Sequence, residues 1–342
     1  MAEGIDVEAV TDWLTDRTEV APPLAFDVIA GGRSNLTYRV RDAEGRRFVL
    51  RRPPLHSVLE SAHDVAREHR IMAALAGSDV PVPEQVGVET DPAVTGAPFY
   101  VMRHVDGLVV RTPEDAARDL DPAARVRAGQ DLVDTLVRLH AVDPDEVGLG
   151  DLARRDGYIE RQLKRWKGQL EKGSTRELPL LHEVHARLAA DVPAQGPASI
   201  VHGDYRLDNL MVSPRGDVLA VLDWELCTLG DPLADVGLLQ VYWTEPGEDE
   251  LNPLGASPTS VDGFPTRAEL TERYAQASGR DLSQLDFYVA FGFWKLAIIL
   301  EGVYQRFTAG AYEHVDEGVQ RFGDTVHALA ERAHEAAGRA GR

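Results

Sequence analysis

The most informative stretch of the sequence is a polar loop between apolar residues: His202-Gly203-Asp204-Tyr205-Arg206-Leu207-Asp208-Asn209. Ile200 and Val201 precede this loop, and Leu210 to Val212 follow it. A second polar group ends the next apolar run, in Val221-Leu222-Asp223-Trp224-Glu225. Short apolar runs bounded by polar residues are typical of buried strands. The pattern therefore predicts two short loops, braced by strands, that present carboxylate and amide side chains.

The types and spacing of these polar residues indicate phosphoryl transfer, which depends more on neutralising charge than on covalent chemistry. Asp204 could accept the proton of an attacking hydroxyl, while Asn209 and Asp223 offer the hard oxygen ligands that Mg²⁺ prefers. The catalytic loop of kinases has the same Asp and Asn spacing, followed by a metal-binding Asp. Asp and Asn also occupy ordinary turns, but that alternative accounts poorly for the whole arrangement between strands.

Outward from this loop, the chain divides into a β-rich part and an α-rich part. The first hundred residues contain strand patterns and one helix, at Leu24 to Ile29, Leu36 to Arg41, Arg47 to Arg51, Ala62 to Leu75 and Pro98 to Met102. Most of the remainder has helical periodicity, and two helices, about Arg267 to Ala277 and Leu285 to Phe307, are predicted to close the chain. We expect an α+β fold with two lobes, residues 1–105 and 106–342.

Composition excludes several classes of function. The 342 residues carry 56 acidic and 36 basic side chains, a net charge of −20, whereas nucleic-acid binders are usually basic. No run of about 18 uncharged apolar residues occurs, so no membrane span is expected. The single cysteine, Cys227, rules out an internal disulfide and is typical of a reducing, cytoplasmic environment.

Taken together, the loop motif and Leu222-Asp223-Trp224-Glu225 resemble the aminoglycoside phosphotransferase and choline kinase superfamily. The wider sequence is most similar to the kinase-like domain of acyl-CoA dehydrogenase family members ten and eleven. The resemblance runs from about Phe26 to Phe307 and includes Gly32-Arg33-Ser34-Asn35-Leu36-Thr37-Tyr38, Phe48-Val49-Leu50-Arg51-Arg52-Pro53-Pro54, Phe99-Tyr100-Val101-Met102, Asp223-Trp224-Glu225-Leu226 and Gly302-Val303-Tyr304. It implies a bilobal protein-kinase-like fold with a β-rich N-lobe and an α-rich C-lobe.

For the 202–209 loop, the resemblance implies that Asp204 is the catalytic base and that Asn209 and Asp223 bind Mg²⁺. Arg206 would neutralise the transferring phosphoryl group, although an ion pair with Asp208 is an equal alternative. His202 is expected to brace the loop through hydrogen bonds. The resemblance also suggests that Asp231 helps to fix the loop, with a helix N-cap as the alternative for it or for Asp235.

For the nucleotide, the resemblance implies an ATP site in the N-terminal lobe. The loop over the phosphates would comprise Gly31, Gly32, Arg33, Ser34 and Asn35. Arg51 replaces the lysine that normally contacts the phosphates; it keeps the positive charge but has a wider planar group. Its expected partner is Glu68. Adenine would be recognised by backbone groups between about Arg103 and Val105.

The sequence indicates less about the acceptor site than about the nucleotide site. Two helical segments combine aromatic and basic residues, and the candidate binding residues on them are Tyr158, Arg161, Arg165, Trp166, Trp294 and Lys295. Such residues suit an anionic, partly apolar ligand better than a polycation, although basic side chains that cover packed helices are an equal alternative. The resemblance implies a small-molecule substrate, a hydroxylated acyl-CoA. A kinase of another small alcohol and a non-catalytic nucleotide-binding module remain as alternatives.

Overall fold

The computed structural model describes residues 4–29, 35–53, 64–174, 176–248, 254–308 and 318–340. Its N-terminal lobe is a five-stranded antiparallel sheet in the order β1-β2-β3-β5-β4, flanked by two helices. The bounds are α1 Val7–Thr15, β1 Ala25–Val28, β2 Leu36–Arg41, β3 Arg47–Arg52, α2 Val65–Leu75, β4 Gln85–Glu89 and β5 Phe99–Arg103. This arrangement confirms the β-rich lobe, to which the sheet adds the unpredicted strand β4.

The sheet owes its register to a tight β2–β3 hairpin. The Asp42 carboxylate accepts hydrogen bonds from the backbone N–H groups of Glu44 and Arg46, and Gly45 adopts a φ of 84°, which glycine tolerates best. One face of the sheet then buries Val40, Leu50 and other apolar side chains against α1. The opposite face of β3 presents Arg51 toward the second lobe.

The C-terminal lobe is mainly helical and surrounds two small strand pairs, β6 with β9 and β7 with β8. Its elements are α3 Pro113–Asp119, α4 Pro122–Ala141, α5 Tyr158–Gly173, α6 Pro179–Ala190, β6 Ser199–Val201, β7 Leu210–Val212, β8 Val218–Val221, β9 Thr228–Gly230, α7 Leu233–Tyr242, α8 Arg267–Ser278, α9 Leu285–Thr308 and α10 Gly318–Ala340. The α+β, two-lobed prediction is confirmed. The polar loop of residues 202–209 joins β6 to β7, and Asp223 lies two residues after the end of β8.

The prediction that α8 and α9 close the chain is wrong, because α10 follows them. Ala330, Ala333 and Ala337 lie buried on one side of α10, at the spacing of one helical face. Their small side chains let α10 pack closely on α9. Arg176 links the two helices, since its guanidinium donates to the buried Glu301 carboxylate of α9 at 2.7 Å and to the Gly323 carbonyl of α10 at 3.3 Å. Because the sequence of α10 is rich in alanine and charged residues, its apolar face was not recognised from the sequence.

Helix α9 is long and apolar enough to cross a membrane by length and composition alone. In this structure, however, 61% of its most apolar 18-residue window is buried inside the protein. It packs between α7 and α10, and the side chains of Ala290, Phe291 and Ala297 are almost completely covered. Its composition therefore matches that of a core helix in the α-rich lobe.

Candidate active site

The Asp204 side chain is held in one orientation. Its Oδ1 accepts a 2.9 Å hydrogen bond from the Tyr242 hydroxyl, and its Oδ2 accepts one of 2.9 Å from Asn209 Nδ2. Asn209 Nδ2 also donates to the Asp204 carbonyl at 2.8 Å. About a quarter of the Asp204 side chain remains exposed, 25%. The structure thus presents an oriented carboxylate that a bound molecule can reach.

Asp235, on α7, holds the backbone of the 202–209 loop. Its Oδ2 accepts from the N–H of His202 at 2.7 Å, and its Oδ1 accepts from the N–H of Gly203 at 2.8 Å. His140 Nε2 lies 3.2 Å from Oδ2. Burial alone would raise the pKa of Asp235, but these hydrogen bonds and the His140 ring hold it below its ordinary value. A buried carboxylate with backbone donors on both oxygens fixes the start of the loop.

The predicted role of Asp231 in fixing the loop is wrong. Its Oδ1 accepts from the N–H of Leu233, at the start of α7, and its Oδ2 accepts from the Tyr288 hydroxyl. Asp231 therefore binds the first residue of α7 and Tyr288, whereas Asp235 binds the loop. The two acids lie four residues apart around Pro232, so sequence could identify the pair but not which member faces the loop.

His202 is fully buried and braces the loop, as predicted. Its Nε2 lies 2.9 Å from the carbonyl oxygen of Leu222, and its Nδ1 lies 3.3 Å from the Asp204 N–H. Because a carbonyl only accepts, we assign the ring proton to Nε2, which leaves Nδ1 as the acceptor. A neutral histidine thus links the loop to the segment that carries Asp223.

A charged network faces the loop across the cleft; we call Arg51, Glu68, Asp223 and Glu225 the Arg51 network. Arg51 Nη2 lies 2.8 Å from Asp223 Oδ1, and Arg51 Nε lies 3.4 Å from Glu68 Oε2. Glu225 Oε2 is 4.0 Å from Arg51 Nη2. Burial alone would lower the pKa of Arg51, but Tyr100, Glu68 and Asp223 raise it above its ordinary value. The expected Arg51–Glu68 pair is present, and Arg51 also contacts Asp223.

Glu68 is almost completely buried, with 1% of its surface exposed. Asn35 Nδ2 donates to Oε1 at 3.0 Å, and the Tyr100 hydroxyl donates to Oε2 at 3.2 Å. Burial nevertheless raises the pKa of Glu68 to about 7, with Arg51 acting against the rise. Tyr100 was missed as a site residue, because in the sequence it reads simply as an apolar strand position.

The oxygen donors fit magnesium. Asp223 has a left-handed φ of 62°, which turns its carboxylate toward the cleft, and Asn209 faces the same cleft. Glu225 Oε2 is buried and has no hydrogen-bond donor among the residues described. No cluster of three His, Cys, Asp or Glu side chains suited to a metal occurs in that part of the chain. Mg²⁺ normally combines a few protein oxygens with water and substrate phosphates, which matches this sparse set.

A cavity of about 540 Å³ lies between the lobes and is lined by four of the predicted nucleotide residues, Asn35, Arg51, Arg103 and Val105. Five arginines line it, against two carboxylates, among the residues described; the arginines are Arg39, Arg51, Arg103, Arg111 and Arg206, and the acids are Asp208 and Asp223. In a chain of net charge −20, this concentration of positive charge favours an anionic ligand.

The residues at the rim of this cavity can be compared with the remaining predictions about nucleotide binding. Arg103 and Val105 both line it, but the Arg103 N–H already donates to the Glu84 carbonyl. The Arg103 guanidinium turns away, to Thr18 Oγ1 at 2.9 Å. Gly31, Gly32, Arg33 and Ser34 lie outside the described residues, so their predicted contact with phosphates stays a prediction.

Arg206 lies at the cleft and forms the predicted ion pair with Asp208, while its contact with the transferring phosphoryl group stays a prediction. Its Nη2 makes a 2.8 Å ion pair with Asp208 Oδ2, its Nε is 3.8 Å from Asp204 Oδ2, and its guanidinium lies 4.7 Å from the centre of the Tyr242 ring. Burial raises the pKa of Asp208, and Arg206 opposes that rise. The ion pair is therefore present, and the guanidinium also lines the cleft beside Asp204.

The predicted acceptor residues separate into buried and accessible groups. Trp294 is fully buried and donates through Nε1 to the Leu181 carbonyl, so its assignment to the acceptor is wrong. Tyr158 is only 5% exposed and packs on Gly230, where an added Cβ would meet its ring at 2.4 Å. It is therefore a packing residue too.

Four of the candidates lie nearer to open surface or to the loop. Arg165 is exposed, and its guanidinium lies 5.3 Å from the centre of the partly exposed Trp166 ring. The Arg161 guanidinium donates to the Arg154 carbonyl. Lys295 Nζ lies 3.3 Å from the Gly203 carbonyl oxygen. Arg161, Arg165 and Trp166 thus remain available on α5, while Lys295 belongs to the 202–209 loop.

Comparison with known proteins agrees with this geometry. The profile of the phosphotransferase enzyme family matches residues 26–288. Acyl-CoA dehydrogenase family member 10 of Mus musculus is 36% identical over 91% of this chain and 29% of its own length. Family member 11 of Gallus gallus is 34% identical over 92% of this chain and 40% of its own length. The chain thus spans less than half the length of these relatives.

Solved structures give the same fold. A "putative aminoglycoside phosphotransferase" from Ralstonia eutropha JMP134 has a TM-score of 0.83 and 33% identity, covering 98% of both chains. The macrolide 2'-phosphotransferase MphH from Brachybacterium faecium has a TM-score of 0.59 and 21% identity, covering 94% of this chain and 98% of its own; it supports the fold alone. The predicted resemblance is confirmed. The chain belongs to the phosphotransferase enzyme family.

Proposed function

We propose that the protein transfers the γ-phosphoryl group of ATP, with Mg²⁺, to the hydroxyl group of a hydroxyacyl-CoA. The observation that carries this proposal is an arginine-rich cleft lined by Asn209 and Asp223, with Asp204 beside it and hydrogen-bonded to Asn209. A base, oxygen ligands and positive charge are the parts that phosphoryl transfer requires.

In this mechanism Asp204 accepts the proton of the acceptor hydroxyl. The hydroxyl oxygen bonds to the γ-phosphorus, the bond to the β–γ bridging oxygen breaks, and ADP leaves with that electron pair. Tyr242 and Asn209 hold the two carboxylate oxygens of Asp204, so the base needs little reorganisation. Arg206 and Arg51, which line the same cleft, offset the charge on the phosphates.

Asn209, Asp223 and Glu225 would hold the metal through their side-chain oxygens. Bound there, Mg²⁺ would offset negative charge on the ATP phosphates. Arg51 now lies on Asp223, so nucleotide binding would draw this guanidinium toward phosphate and free the carboxylate oxygen. The ion pair thereby keeps both groups oriented before ATP arrives.

The acceptor assignment rests on charge and on the relatives. Helix α5 carries five basic residues, Arg161, Lys164, Arg165, Lys167 and Lys172, against the two acids Glu160 and Glu171. Those charges suit the phosphates of CoA better than a polycationic aminoglycoside. The similar regions of the relatives belong to proteins named for acyl-CoA dehydrogenation, which favours a CoA-linked acceptor.

The test compares ATP-dependent product formation with hydroxyacyl-CoAs, aminoglycosides and amino alcohols under identical conditions. An acyl-CoA of equal length without the hydroxyl is the matched control. We expect phosphorylation of a hydroxyacyl-CoA, a higher acceptor KM as salt rises, and no product from the control. Efficient turnover of an aminoglycoside, with none of any hydroxyacyl-CoA, would overturn the proposal. The 33% identity to the Ralstonia eutropha protein makes that outcome the principal alternative.

A further inference from the structure

Lys295 is buried behind the 202–209 loop rather than open to the acceptor. Only 9% of its surface is exposed, and its Nζ donates to the Gly203 carbonyl at 3.3 Å. That carbonyl belongs to the peptide bond joining Gly203 to Asp204. A side chain on α9 is therefore hydrogen-bonded to the backbone immediately before the proposed base.

Gly203 is fixed on both sides by this contact and by Asp235. Its N–H donates to Asp235 Oδ1 at 2.8 Å, and its carbonyl accepts from Lys295. Its φ of 84° suits glycine, and an added Cβ would lie 2.8 Å from the Leu226 carbonyl oxygen. Because the following peptide plane carries Asp204, rotation of the Gly203 carbonyl would swing the Asp204 carboxylate away from its present direction.

No ligand can reach Lys295 from the enclosed side. The cavity next to it measures about 10 Å³, the lower limit for one water molecule. Its walls are Tyr158, Gly203, Ala234, Asp235, Leu238, Phe291 and Gly292. On another side, the Lys295 ammonium lies 5.8 Å from the centre of the Trp166 ring. The surroundings are those of a packed structural group, not of a binding pocket.

Burial of the Lys295 ammonium also lowers the stability of the folded protein. Within the described ranges no carboxylate lies at ion-pair distance from Nζ, although Asp204 and Asp235 are close enough to favour its charge and Arg165 opposes it. Burial lowers the pKa of Lys295. Since an ammonium loses hydration when buried, methionine would pack there at lower cost. Packing alone therefore does not account for a lysine at this position.

We propose that Lys295 is a positioning residue, which fixes the Gly203 carbonyl and so directs the Asp204 carboxylate toward the acceptor hydroxyl. This inference rests on the proposed phosphoryl transfer. It assigns no contact between Lys295 and either substrate.

The experiment compares Lys295→Met and Lys295→Arg with the wild type, using Arg215→Met, at an exposed position between β7 and β8, as a control. In Lys295→Met, kcat should fall about ten- to a hundred-fold, the effect of losing one hydrogen bond from a charged group. KM for ATP and for the acceptor should stay within about two-fold, and the melting temperature should not fall. Lys295→Arg, which keeps charge and donors, should recover part of kcat, and Arg215→Met should match the wild type.

Amide hydrogen exchange supplies a readout that does not depend on activity. Residues 202–209 should exchange faster in Lys295→Met, while the rest of the α-rich lobe keeps its protection. Should that variant not fold, Lys295→Leu, which also lacks a hydrogen-bond donor, carries the same expectations. An unchanged kcat and loop exchange, or a rise in acceptor KM alone, would overturn the positioning role. A wild type that phosphorylates none of the acceptors, yet shows the loop effect in Lys295→Met, would instead count against the proposed function.

Discussion

The 202–209 loop and the Arg51 network face the same cleft but are built differently. In the loop, both Asp204 carboxylate oxygens and the N–H groups of His202 and Gly203 have hydrogen-bond partners. In the network, Arg51 Nε and Glu225 Oε2 are buried without a hydrogen-bond partner among the described residues. The loop also contains one buried atom without a hydrogen-bond partner among the described residues, Arg206 Nε. Arg206 lines the cleft as well. The difference indicates a preformed base opposite a charged surface that a ligand completes.

The largest effect expected from this contrast is at Asp204. Asp204→Asn keeps the shape of the side chain but removes the base, so turnover should fall about a hundred- to ten-thousand-fold. ATP affinity should stay nearly unchanged, because Asp204 lies on the acceptor side of the cleft. Steady-state rates and calorimetric titration of Mg-ATP measure the two effects. Asp106→Asn, at an acid that is 68% exposed, is the control, and near-normal turnover in Asp204→Asn would remove Asp204 from its assigned role.

Removing a hydrogen-bond acceptor that holds the 202–209 loop should give the next largest effect. Asp235→Asn leaves one oxygen acceptor for the His202 and Gly203 N–H groups and removes a buried charge partner of His140. Breaking such a buried network should lower the free energy of unfolding by about 3–5 kcal/mol. Urea denaturation measures this quantity. Asp231→Asn provides the comparison: a loss equal to that of Asp235→Asn would mean that the two acids do not differ as described.

On the network side, Asp223→Asn tests the metal ligand. Asparagine tolerates the left-handed φ of Asp223, so the fold should be retained. We expect Mg-ATP affinity to fall about ten- to a hundred-fold, the range for damaged metal sites, and the magnesium requirement of turnover to rise. Asn209→Ala should weaken binding less. Titrations at several Mg²⁺ concentrations check both, and unchanged magnesium dependence in both variants would contradict the assignment.

The smallest effect concerns Glu68 and pH. Its pKa rises from 4.5 to about 7 on folding, so the folded protein binds this proton more tightly than the unfolded chain does. Its contribution to stability is complete below pH 4.5 and is lost as pH rises through 7. Over that interval the wild type should lose up to about 3 kcal/mol relative to Glu68→Gln. Urea denaturation across this range, with the exposed Glu84→Gln as control, measures it; parallel curves for wild type and Glu68→Gln would refute the shift.

Sequence was sufficient for what is local and insufficient for what packing decides. Asp204, Asn209 and Asp223 lie within one short stretch, so spacing and resemblance identified them together. Tyr242 and Asp235 reach the loop from α7, and Lys295 reaches it from α9. Trp294 and Lys295 show the limit best: they are consecutive, about 100° apart around α9, and one faces the core while the other faces the loop. The apolar sequence of α9 does not say which face is which.

In the proposed function, this cleft transfers the γ-phosphoryl group of ATP to a hydroxyl group on a CoA-linked chain. Phosphorus NMR of wild type with Mg-ATP and a hydroxyacyl-CoA tests it directly, with Asp204→Asn and the acyl-CoA lacking the hydroxyl alongside. The account predicts ADP and an equal amount of a new phosphomonoester, both dependent on Mg²⁺ and absent from the two controls. Release of inorganic phosphate without a phosphomonoester, or equal product from Asp204→Asn, would contradict it.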